Sequence, residues 1–312
     1  MRAPLGKLWL VPTRGAQPVP GLSRGAAPGL SFFVLALVIV VATGCASAPS
    51  PLAPQWRGSI GLPGRGVLAE GRQVQANAQG LRWLRDNDRH WAISRFSAAI
   101  ERAAASVAEQ RPGAALAVGD LSTRTGGGPL LPHFSHRSGL DADLLFYVST
   151  LDGASVDSPG FIHFGADGLG HDVVHDRWLR FDVEREWLLV KALVEAREAR
   201  VQWIFVSEVI KALLTDWALA RGESTETIYR AQSVMAQPSH GGVHDDHIHV
   251  RTSCSADEAV AGCEPNGPER PWLANDPAPL DEPNEDLALA LLAPLESQQL
   301  SLSDVILAPW LP

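Results

Sequence analysis

His247 and His249 stand two residues apart in the run His244-Asp-Asp-His-Ile-His-Val250, and that run limits how the chain can fold. Side chains alternate faces along an extended strand, so the two imidazoles project together while Ile248 and Val250 enter the opposite, apolar layer. The fold therefore needs a sheet with one dry face and one face that carries chemistry. Upstream, His133-Phe-Ser-His136-Arg-Ser-Gly-Leu-Asp141-Ala-Asp143 supplies a second such segment. Alternation puts Asp141 and Asp143 on one face, and Leu144 to Val148 reads as a buried strand. A turn through Ser138-Gly139 lets His136 approach Asp143. Two histidines and an aspartate drawn from these segments make a three-ligand set with one position open, as in catalytic zinc sites. No cysteine takes part, which argues against a closed thiolate site. Five scattered histidines, His90, His163, His171, His175 and His240, read as ordinary surface or core residues.

Four blocks then carry a specific resemblance. Gly126-Gly-Gly-Pro-Leu-Leu-Pro-His133 through Asp143, Phe181-Asp-Val-Glu-Arg185, Ile204-Phe-Val-Ser207 and His244 through Arg251 occur in this order. In them the chain resembles penicillin-insensitive murein endopeptidases. Those enzymes belong to a zinc peptidase superfamily with lysostaphin, D-alanyl-D-alanine carboxypeptidases and the Hedgehog signalling domain. The resemblance runs from about Ser59 to Cys263 and leaves out both ends of the chain. It implies that His136, Asp143 and His249 bind one zinc ion and that His247 is an active-site histidine outside the ligand set. It also implies that His133 and His244 lie behind the ligands or touch substrate. Arg137 stands where many relatives carry Gln, and Leu140 where many carry Arg; neither change removes a ligand.

The chemistry such a set supports is amide hydrolysis, because zinc lowers the pKa of its water from about 15.7 to about 7 and polarises a carbonyl. No HExxH helix offers a glutamate base, so His247 is the candidate proton carrier. Asp141, Asp245 and Asp246 are available to bond the outer ring nitrogens of the histidines. Asp245 and Asp246 read equally well as solvated loop residues. The resemblance implies cleavage of D-alanyl–diaminopimelate cross-links between peptidoglycan stems, insensitive to β-lactams because no serine nucleophile is involved. Two other readings remain: a zinc D,D-carboxypeptidase acting on the same stems, and a cell-wall-binding lipoprotein that keeps the metal without turnover.

Residues 1–44 contain Arg2, Lys7, Arg14 and Arg24 and no acid, then an apolar run from Leu30 to Ala42 that is too short to span a bilayer. This reads as an export signal. Thr43-Gly-Cys45-Ala46 resembles a lipoprotein cleavage site, which would make Cys45 the lipidated N-terminus and leave the protein in the periplasm, anchored to the outer membrane of a Gram-negative bacterium. Ordinary cleavage near Ala46 or Ala48 is the alternative. With Cys45 set aside, Cys254 and Cys263 form an even pair in an exported chain, expected as a disulfide rather than two free thiols. The chain carries a net charge of −9, and losing the basic leader makes it more acidic. No basic face for nucleic acid is expected.

Residues 45–63 are rich in Ala, Ser, Pro and Gly and read as a tether; 64–264 form the domain, and 265–312 a Pro-rich acidic tail. Trp91 to Glu109 is helix-like, and Ala114 to Leu121 strand-like. Val183, Trp187, Val190 and Val194 share a helical face behind an Asp182 cap, and that face is expected in the core. Val201 to Val206 predicts a strand, followed by a helix from Ser207 to a stop at Gly222. Residues 152–176, with several glycines and three histidines, are expected as a long loop near the cleft. The fold class is α+β, a single domain with a small central antiparallel sheet flanked by helices and long loops, resembling the Hedgehog and D-Ala-D-Ala peptidase domains.

Overall fold

In a computed structural model, the described residues are 57–127, 134–239, 242–264 and 266–273. The expected leader, Cys45, His133, His240 and most of the tail lie outside them.

The architecture mixes α and β structure. The chain forms β1 (Leu81–Trp83), β2 (Leu116–Val118), β3 (Asp141–Leu145), β4 (Val148–Ser149), β5 (Ser155–Val156), β6 (Leu169–Asp172), β7 (Arg177–Phe181), β8 (Val201–Phe205), β9 (Met235–Ala236) and β10 (His247–Thr252). Its helices are α1 (Ser94–Gln110), α2 (Val183–Glu195), α3 (Glu208–Arg221), α4 (Thr225–Val234) and α5 (Ala256–Val260). Six strands form the central sheet in the order β9-β8-β10-β3-β2-β1, and four more form a second sheet in the order β6-β7-β4-β5. Among the described residues, no helix is long and apolar enough to cross a membrane.

The central sheet is mixed, where a wholly antiparallel one was expected. β8, β10, β3 and β2 pair antiparallel, but β9 joins β8 and β1 joins β2 in parallel. The crossovers are the cause. Helices α3 and α4 lie between β8 and β9, and α1 lies between β1 and β2. A helical connection carries the chain back before the next strand begins, which makes the new pair parallel. The sequence pattern within each strand does not encode that direction.

The alternation read in the two central strands holds. Ile248, Val250, Ala142 and Leu144 are buried in the core layer, and the opposite face carries the polar residues together with Leu145. Helix α1 buries Phe96, Ala99, Ile100, Ala103, Ala104 and Val107, and α2 buries Trp187, Val190 and Val194, so the face read from Val183 is core. Asp182 caps α2 by accepting from Arg185 N, and Ser207 caps α3 by accepting from Ile210 N. Gly222 ends α3 at a φ of 71°, which glycine adopts without steric cost. Helix α4 was not anticipated, although Ser224 caps it through Thr227 N.

The segment 152–176 is also more ordered than expected. It contains β5 and β6, and β6 pairs with β7 from Leu169↔Arg180 to Asp172↔Arg177. Gly170, His171 and Asp172 are poor strand formers, and they conceal an alternation in which Gly170 and Asp172 are buried. Ser59 and Ile60, inside the expected tether, pair with Leu68 and Val67. From the expected tail, Pro268 O accepts from Gln202 Nε2, and Leu273 is buried. The Cys254–Cys263 disulfide is formed.

Glu186 of α2 is fully buried, and its Oε2 accepts from Tyr147 N at 3.1 Å. Burial disfavours the carboxylate and pushes its pKa up to about 8, against the weaker pull of the Tyr147 amide. Between the ordinary value of 4.5 and about 8 the folded chain therefore holds a proton that the unfolded chain has lost. Stability from this group is fully present below pH 4.5 and falls as pH rises towards 8, by up to about 1.4 kcal/mol per pH unit. Urea unfolding of Glu186→Gln should show a smaller decline over this window than the parent; equal slopes would mean that Glu186 is not the titrating group.

Candidate metal centre and cleft

The register of β3 against β10 builds the site. His249 lies opposite Asp143, His247 opposite Leu145 and Arg251 opposite Asp141. Because side chains two apart share a face, His247, His249 and Arg251 line up along one strand beside Asp141 and Asp143 on the other. His136 joins them from the preceding turn, where Gly139 has a φ of 74° and an added Cβ would meet Leu68 Cδ1 at 2.8 Å. That turn is the one read at Ser138-Gly139.

Three ring nitrogens converge on one carboxylate oxygen. Asp143 Oδ1 is 3.0 Å from His249 Nδ1, 3.3 Å from His136 Nε2 and 3.4 Å from His247 Nε2. His136, Asp143 and His249 are all buried, and their ligand atoms lie within 4.8 Å of one another. Tetrahedral ligands bound at about 2.0–2.1 Å sit about 3.3 Å apart, so these spacings and this nitrogen–oxygen donor set fit a zinc-type ion. His244, His247 and His249 form an overlapping group, less buried than the first. A third group, His163, Asp245 and Asp246, lies at the rim.

Two of the histidines have carboxylates behind them. Asp141 Oδ1 is 2.9 Å from His249 Nε2 and accepts from Arg251 Nε at 2.6 Å, while Asp141 Oδ2 accepts from His136 N at 3.3 Å. Burial opposes the Asp141 charge, yet Arg251 and His249 hold its carboxyl well below the usual range. Asp143 is held low in the same way, against burial, by His136 and the other two rings. His247 Nδ1 is 2.6 Å from Asp246 Oδ1. Burial works against the His247 imidazolium, but Asp143 and Asp246 outweigh it and push the ring up to about 9. A dication on Asp143 would oppose that shift. Burial and the neighbouring His247 push His244 down.

A cleft of about 580 Å³ opens over these groups, a size suited to a short peptide segment. Phe161 meets His247 edge-on at 5.1 Å, and Phe205 meets His249 at 5.5 Å. His163, read from sequence as an ordinary residue, instead lines this cleft with its Nδ1 2.7 Å from Asp245 Oδ1. Its link to Asp245 runs between distant segments, so no local pattern announces it. His90 is a core residue stacked on Trp83 at 4.0 Å, while His171 and His175 pair with Asp176 and Asp172 around the β6–β7 hairpin. Arg251 was not singled out as a cleft residue, although its position two beyond His249 in a strand was a sufficient signal. His133, expected near the site, lies outside the described residues.

Residues 59–271 match the family described as penicillin-insensitive murein endopeptidase. The chain belongs to this family. It is also 33% identical over 156 residues to a curated protein of that description from Haemophilus influenzae. The aligned region covers 48% of this chain and 47% of the relative, so the chain spans about half the length of the relative it matches. The family's other blocks have structural work in this fold. Asp182 caps α2, and Arg185 donates to the carbonyls of Arg111 and Pro112; Ser207 caps α3, and its N donates to His244 O at 2.8 Å.

Asp141→Asn should weaken binding of added zinc by about 10- to 100-fold, as loss of an outer partner does for a ligand histidine. Competition with a chromogenic chelator reads this directly; an unchanged affinity would show that the Asp141–His249 bond does not orient the ring.

Proposed function

We propose that this chain is a zinc-dependent endopeptidase that cuts D-alanyl–diaminopimelate cross-links in bacterial peptidoglycan. The observation that carries this reading is the convergence of His136, His249 and His247 on Asp143 Oδ1 within 3.0–3.4 Å, inside the region that matches the family. Zinc held by His136, Asp143 and His249 would supply an acidified water and polarise the scissile carbonyl.

The remaining steps belong to the chain's own side chains. His247 accepts the proton of the attacking water at Nε2 and passes it to the leaving amine, while Asp246 fixes the ring through Nδ1. Asp141 holds His249 through its outer nitrogen. His244 and His133 are assigned to positions behind the ligands or in contact with the substrate, and Phe161 and Phe205 wall the cleft. The domain assigned to residues 64–264 would be of the Hedgehog and D-Ala-D-Ala peptidase type. Residues 1–44 would direct export to the periplasm, and lipidation of Cys45, with 45–63 as tether, would hold the domain near its wall substrate.

Zinc-loaded protein and its His247→Ala variant should be incubated with cross-linked muropeptide dimers and the products resolved by mass spectrometry. The parent should convert dimers to monomers, and the variant should be slower by about 10²- to 10⁴-fold, the usual worth of a general acid–base. Release of free D-alanine would replace the reading by a D,D-carboxypeptidase, and intact dimers with zinc bound would replace it by a wall-binding protein.

A further inference from the structure

We propose that Arg251 determines the specificity of this cleft by receiving a carboxylate carried on the carbon that bears the scissile amide nitrogen. The inference rests on the endopeptidase reading and names the substrate group that the same site selects.

Three observations point to it. Arg251 lies on the face of β10 that carries His247 and His249, two residues beyond His249. The strand rise puts the two Cα positions about 7 Å apart. The side chain is also fixed. Its Nε donates to the buried Asp141 at 2.6 Å, its Cζ sits 5.4 Å over the Phe205 ring, and it is 14% exposed. A guanidinium offers five donors in one plane, and here Nη1 and Nη2 donate to no described residue. Finally, among the described residues that line the cleft, Arg251 is the lone Lys or Arg, whereas Asp143, Asp245 and Asp246 supply negative charge. Among the described residues that line the cleft it is the one side chain with a permanent positive charge and a fork that matches a carboxylate.

A purely structural role for Arg251 would end with neutralising Asp141. The Nε bond suffices for that, and among the described residues nothing engages the other edge of the fork in this cleft-lining residue. Fork geometry matches a carboxylate with two parallel hydrogen bonds. In a D-alanyl–diaminopimelate cross-link, the carbon attached to the scissile nitrogen also carries a free carboxylate. The bond to be cut thus always has an anion beside it, and a carboxamide in its place keeps the shape while removing the charge.

The test pairs two enzymes with two substrates. Zinc-loaded full-length protein and Arg251→Gln are each given cross-linked dimers whose acceptor diaminopimelate carries either the carboxylate or the carboxamide. Both kcat/KM and calorimetric Kd are measured. The parent should favour the carboxylate by roughly 10- to 100-fold, the range of a charge-assisted contact, and the variant should show no preference. Equal use of both dimers by the parent overturns the inference while leaving the endopeptidase reading intact, and so does a preference that survives in Arg251→Gln. If the substitution silences turnover through Asp141, the two Kd values of the variant decide: equal values support the inference, and a retained preference overturns it. Cleavage of neither dimer by the parent is instead the failure of the endopeptidase reading.

Discussion

The register between β3 and β10 is the constraint on which the site depends. It sets His249 across from Asp143 and Arg251 across from Asp141. A slip of one residue would turn His247 and His249 into the apolar layer and expose Ile248 and Val250, so the dry face enforces the wet one. Asp141 and Asp143 are 0% and 1% exposed. Two carboxylates at that depth are tolerable only with cationic or hydrogen-bonding partners at contact distance. Arg251 and three imidazoles fill that need in the described structure.

Around this pair the loops carry strain at two residues of the candidate site. His136 and His244 adopt φ values of 65° and 56°, left-handed backbone that non-glycine residues rarely take. Each such residue costs about 1–2 kcal/mol, so neighbouring bonds have to hold it. The loop of His136 is pinned by Arg137 N to Pro63 O and by Gly127 N to Arg137 O. The loop of His244 is pinned by Ser207 N to His244 O and by Phe164 N to Asp245 O. The last of these ties the rim to the connection between β5 and β6 of the second sheet. That segment, 152–176, is therefore part of the frame of the cleft.

What the sequence disclosed and what it concealed divide along the range of the interaction. Period-two alternation at Asp141–Asp143 and His247–His249 is local, and it marked which side chains share a face; the pairing of the two strands, a contact distant in sequence, was not legible in it. Caps are equally local, so Asp182, Ser207 and Gly222 marked their helix ends correctly. Strand direction is not local. The parallel joins of β1 with β2 and β8 with β9 follow from helical crossovers, and antiparallel alternation in the inner strands says nothing about them. His163 is the sharpest case at the site. Its partner Asp245 is distant in sequence, and its own neighbours, Ile162 and Phe164, look like any loop. The β6–β7 hairpin was hidden differently, by a Gly-His-Asp stretch of low strand propensity that cross-strand pairing overrides.

Two histidine–carboxylate pairs stand side by side in the cleft, and their surroundings suit them to different tasks. Asp141, behind His249, is fully buried and has its charge matched by Arg251. The ring it holds is locked in orientation, which is what a ligand position asks for. Asp246, behind His247, is 17% exposed at the side chain, and among the described residues its one ion pair is with His247. Although burial opposes it, His247 keeps this carboxylate ionised, and no arginine offsets its charge. Without an arginine beside it, this anion favours the protonated form of the His247 ring, and His163 is the other nearby group that holds the carboxyl low. The same chemical pair, a carboxylate on an imidazole, is thus charge-matched and fully buried on one side of Asp143 and part-exposed without an arginine on the other. The difference comes from Arg251, which is present beside Asp141 and absent beside Asp246.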